Sequence, residues 1–175
     1  MDVPIEHIVG TAALIGLVIS AALAYKTILG YVETSILQAQ LRQIAEYISM
    51  NIVNLISLAE FAYGNASTLT VMVKVLKLPT DLAGEAYLVR LVCEGGDCYV
   101  QVELTTRSGL STRLPINLSS TGTRVIFITG EVQLPDHTIK PSNAVYGGNP
   151  NAVVWCWKNG SDSTCVGIGV WMGGV

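Results

Sequence analysis

Residues 7–25 read HIVGTAALIGLVISAALAY, 19 residues without a Lys, Arg, Asp or Glu. Glu6 and Lys26 bound the run. A helix that crosses a bilayer needs about 20 mostly apolar residues, within a range of about 17–25. A buried core helix of this length usually shows a polar stripe, and here only Thr11 and Ser20 interrupt the apolar surface. The stretch therefore reads as a helix able to enter a membrane.

The helical pattern continues past Lys26. No proline occurs between Pro4 and Pro79, and Pro4 suits a first helical turn, where its missing N–H costs nothing. Leu41, Ile44, Ala45, Ile48, Ile52, Leu55 and Ile56 recur at steps of three and four, with Arg42, Gln43, Glu46, Ser49 and Asn54 on the other side. That is the period of a half-buried helix. Gly64-Asn65 marks a stop. One helix is expected from about residue 5 to about residue 61, roughly 85 Å at about 1.5 Å per residue. A separate helix beginning after a break at Gly30 is the alternative.

Beyond Asn65 the pattern changes to period two. TLTVMVKVLKL (68–78) alternates Leu69, Val71, Val73 and Val75 against Thr70, Met72, Lys74 and Leu76. Strands are also expected in 85–93, 98–107, 123–130, 152–157 and 166–172, separated by glycine-rich turns. Short strands at such spacing suggest a sandwich or barrel of seven to nine strands. The expected fold is α+β: a long N-terminal hydrophobic helix in residues 1–62, then an all-β, sandwich-like domain in residues 63–175.

The composition excludes several functions. Half of the 175 residues are hydrophobic, 13% are charged, and the mean hydropathy is +0.49. A soluble domain carries about 25% charged residues, so neither a cytosolic enzyme nor a disordered chain fits. The formal charge is −3, all of it in the first 60 residues, and no basic patch invites a nucleic acid. No nucleophile motif, zinc-protease motif or phosphate loop occurs. His7 opens the helix, and His137 beside Asp136 reads as a solvated turn, not an acid–base pair. The glycines of the C-terminal VGIGVWMGGV open no helix, which rules out a nucleotide fingerprint. Trp155, Trp157 and Trp171 read as sandwich core, with a sticky surface as the alternative. No catalytic residue, cofactor or metal is expected.

Four cysteines form two close pairs. Cys93 and Cys98 bracket EGGD, and Cys156 and Cys165 bracket WKNGSDST. Each pair lies across a turn between expected strands, which suits two disulfides. A four-thiolate zinc site is the competing reading, although structural zinc sites usually place about two to four residues between paired cysteines. Asn-X-Ser triplets begin at Asn65, Asn117 and Asn159, all in the β part. Cysteine pairs and triplets point to an exported domain open to glycosylation.

The charges conflict with simple export. An extracytoplasmic β domain requires a cytoplasmic N-terminus, and positive charge should then precede the apolar run. Instead Asp2 and Glu6 precede it and Lys26 follows it. A short basic leader upstream, removed after membrane insertion, would resolve the conflict. The released helix can then exchange lipid for identical neighbours, stacked at a constant offset in an open helical polymer. Glu6 would need a partner there, and a freed α-ammonium group is the natural one.

DVPIEHIVGTAALIGLVISAALAY, its amphipathic continuation to about Glu60 and the β domain behind it resemble a type IV pilin, and more closely an archaeal pilin-like filament subunit. The family's glutamate at the fifth mature position corresponds to Glu6 counted from Asp2. Bacterial pilins often kink the helix with a proline that this chain lacks, which favours the archaeal side. The resemblance implies a homopolymeric surface filament whose precursor resides in the cell membrane. It further implies cleavage by a class III signal peptidase, an assembly platform with its ATPase, and a role in adhesion, motility or DNA uptake. Glu6, Ile8, Leu14, Leu17, Ile19, Leu23 and Ile28 are the candidate assembly residues. A membrane-anchored accessory or stator-like β-sandwich protein that never polymerises, and an archaeal viral structural protein, are the alternatives.

Overall fold

The computed structural model describes residues 5–62, 71–107, 109–118, 124–130, 132–134, 138–159 and 163–173. One helix, α1 (Ile5–Ala62), runs without interruption through Gly30, so the alternative of a break there is not realised. Nine strands follow among the described residues: β1 (Val71–Val75), β2 (Tyr87–Glu94), β3 (Asp97–Leu104), β4 (Ser111–Pro115), β5 (Arg124–Ile128), β6 (Ile139–Ser142), β7 (Ala144–Tyr146), β8 (Ala152–Asn159) and β9 (Ser163–Trp171). The architecture is the expected α+β, a long apolar helix followed by two sheets. β4, β6 and β7 fall outside the expected segments. They are short, and β6 carries Pro141, which cannot donate to a ladder and so hides the strand from pattern reading.

The first sheet has the order β1-β8-β9-β5, with β6 also on β9. β9 thus has one edge paired antiparallel with β8, and shares the other between β5, in parallel, and β6, antiparallel. The second sheet has the order β4-β3-β2-β7 and is antiparallel throughout. Only Asn143 separates β6 from β7. One nearly continuous extended stretch therefore serves both sheets and ties them together.

The two sheets differ in how they are covered. β8 reads AVVWCW because both of its faces are buried, with Ala152 through Cys156 all solvent-free. Trp155, Val153 and Cys165 share one face with Leu134 and Ile139. Val154, Cys156, Val166 and Ile168 occupy the other. In the second sheet Val100, Val102 and Leu104 point inward, while Arg90 and Glu103 pair outward at 3.2 Å.

Two compact units emerge, Met1–Leu37 and Gln38–Val175, so the division falls inside α1. Residues 38–62 belong with the strands because one face of that half is buried: Leu41, Ala45, Ile48, Ile52 and Ile56 have essentially no exposed surface. The Tyr47 hydroxyl accepts a hydrogen bond from the Lys77 N–H at 3.3 Å. Ser49, expected on the polar side, is buried at the margin of this stripe, as is Asn51, whose amide donates to the Tyr47 carbonyl at 2.7 Å.

The alternation expected through 68–78 ends earlier than the sequence suggests. β1 stops at Val75, which is exposed, and Leu76 turns inward while its N–H donates to the Ala152 carbonyl at 2.7 Å.

Candidate assembly surface

From His7 to Glu33 every residue of α1 is exposed. Ile8, Leu14, Leu17, Ile19, Leu23 and Ile28 all stand open, Leu17 at 66%. Six of the candidate assembly residues are thereby placed on one uncovered apolar rod. Glu6 lies within the helix, but its side chain falls outside the described residues.

The Thr and Ser hydroxyls along this stretch are satisfied internally. Thr11 donates to the His7 carbonyl at 2.7 Å, Ser20 to Gly16 at 2.8 Å, Thr27 to Leu23 at 2.9 Å and Thr34 to Gly30 at 2.9 Å. Each uses the carbonyl four residues back, the local bond open to Ser and Thr inside a helix. The helix backbone is likewise internally bonded. Such a segment carries few polar groups that demand water, which is the condition for residence in hydrocarbon. His7–Phe61 is long and apolar enough to cross a membrane, and its most apolar window is not buried within the protein.

Two charges sit in this exposed stretch, Lys26 and Glu33. Sequence reading treats Lys26 only as the end of the apolar run. The spacing of seven to Glu33, which sets both on one face, is the signal it passes over.

The cysteines separate. Cys93 and Cys98 form a disulfide across the β2–β3 hairpin, where they are direct partners in the ladder. Gly95 and Gly96 make the two-residue turn between them, both at positive φ (64° and 99°), as a tight hairpin requires. The expected Cys156–Cys165 disulfide is not formed. Cys156 pairs with Val166, and Cys165 with Trp157. The thiols are one residue out of register and point to opposite faces of the sheet. A four-thiolate zinc site fails for the same reason, and because Cys93 and Cys98 are bonded to each other. Burial pushes the Cys156 thiol up to about 12, with smaller contributions from Cys165 and Glu60. Burial also raises Cys165. Neither is a nucleophile at neutral pH.

The remaining candidates are dispersed. Trp155 is fully buried and its indole N–H donates to the Ile168 carbonyl at 3.0 Å. Trp157 packs against the same cluster, and its indole N–H finds no acceptor among the described residues. Trp171 is 40% exposed. Asn117 is exposed on the stretch after β4, Asn159 ends β8 with its side chain outside the described residues, and Asn65 lies outside them altogether. Asp136 and His137 also lie outside the described residues.

No family model, curated protein or solved structure matches this chain.

Proposed function

We propose that this chain is the structural subunit of a type IV pilin-like surface filament, built by stacking the N-terminal helices of many copies with the β domains outside. The observation that carries this reading is the uncovered rod of His7–Glu33 on a chain whose second unit buries its own core. Each buried Leu or Ile side chain is worth about 1.5–3 kcal/mol. Half a dozen of them left in water would forfeit on the order of 10 kcal/mol, as much as a whole domain's stability. The rod therefore demands lipid or other copies of itself. Lipid holds the precursor, and identical helices replace it in the polymer.

A disulfide in the β2–β3 hairpin favours an oxidising, extracytoplasmic location for the β domain. The partners are then the membrane, a class III signal peptidase, an assembly platform and further copies of the chain, with adhesion as the filament's role.

Shearing the surface of producing cells, imaging the released material and sequencing its N-terminus by mass spectrometry tests the reading. Filaments with this chain as the dominant band are expected. A chain recovered only as a detergent-extracted monomer, from cells without such filaments, would replace it with the anchored accessory protein.

A further inference from the structure

Lys26 and Glu33 are the only ionised side chains in the 35 residues between Glu6 and Arg42. Both are exposed, and neither takes part in the four ion pairs found among the described residues. Seven helical residues span about two turns, short by roughly 20°, so the two charges share a face about 10.5 Å apart along the axis. Helical side chains all lean towards the N-terminus, so the lean leaves this spacing unchanged. Between them on that face stands Gly30, whose missing side chain leaves open space and lets another helix come close.

A rod buried among its copies cannot leave such charges unpaired without a large desolvation cost. Opposite charges on one face, two turns apart, complement their own image when it is displaced along the axis and turned about it to face them. We propose that a second copy docks parallel to the first, displaced by about two helical turns, so that Lys26 of one copy meets Glu33 of the next. This rests on the filament reading and deepens it. Displacement by one turn or by three sets each charge against an uncharged residue, so the pair selects the register. Polar groups in otherwise apolar helical interfaces are best attested in that role. Each contact also leaves one Lys26 and one Glu33 free for further copies, so the association is open-ended. An antiparallel pair centred near Gly30 would form the Lys26–Glu33 contact twice, leave no charge over and close as a dimer.

The test uses the full chain in producing cells and compares filament-borne with membrane-borne protein. Lys26→Glu and Glu33→Lys should each lower the filament share by about tenfold or more, because each sets like charges together. The double exchange, K26E with E33K, should return it to within about twofold, the signature of direct coupling. Because a single reversal could also disturb membrane insertion, a chain carrying both Lys26→Cys and Glu33→Cys is oxidised within its filaments. A ladder of covalent multimers supports the proposal. Dimers alone, no cross-link, or failure of the double exchange to restore filaments while the wild type makes them overturns it and leaves the filament reading standing. A wild-type chain that makes no filament removes both.

Discussion

At the residue scale, the most constrained positions are those where a ring meets a bare backbone. Trp155 faces Gly167 across the β8–β9 ladder, and a Cβ at Gly167 would stand 2.4 Å from the indole ring. Gly167→Ala should cost about 1–3 kcal/mol through overpacking, read as a lowered denaturation midpoint in urea. Tyr87 is equally enclosed and donates its hydroxyl to the Pro79 carbonyl at 2.8 Å. Burial, with a smaller contribution from Asp81, pushes its pKa up to about 12 from 10.0. Cys156 moves from 9.0 to about 12. Both groups are held neutral in the fold, so the unfolded chain releases their protons first. Their stabilisation is complete below pH 9 and is lost as pH climbs towards 12. Melting temperature against pH should stay level to about pH 9 and then fall. Tyr87→Phe should flatten the part of the fall above pH 10, at a cost of about 1 kcal/mol for the lost hydrogen bond.

At the element scale, the same residue types do different work in different places. The Cys93–Cys98 disulfide closes a short loop, and the chain-entropy argument assigns it about 2 kcal/mol. Replacing both cysteines by serine should lower stability by about that amount without unfolding the domain, with thermal denaturation as the measurement. The second cysteine pair was equally suggestive in sequence and makes no bond. The β8–β9 ladder pairs Asn159 with Ser163, and that register puts Val166, not Cys165, opposite Cys156. The strands 87–94 and 97–104 were legible because they alternate and meet at a glycine pair. β4, β6 and β7 were not: STRLP and IKPS carry polar residues and a proline in place of an apolar alternation, and AVY has only three residues.

At the scale of the whole molecule, the buried face that stabilises the fold and the exposed rod on which the proposed assembly rests are different parts of one helix. Ile48 is fully buried, and Ile48→Ala should cost about 2–5 kcal/mol and lower the melting temperature. Leu17 is 66% exposed. Leu17→Arg should leave the melting temperature of the detergent-solubilised monomer within about 1 °C, since exposed positions change stability little, and abolish filament formation. Equal effects of both substitutions on melting would show the rod to be covered within the monomer.

The long helix was determined by sequence alone, because its signals are local: an apolar run of membrane length, no proline, and a three-to-four-residue period reaching to the stop at Gly64. The change to period two announced the strands on the same terms. The half-buried face of the helix, Leu41 to Ile56, was legible from its period as well. Tertiary structure alone decided where strands pair and which cysteines meet. Those outcomes depend on register between segments distant in the chain, and a slip of one residue reverses the face of every side chain beyond it.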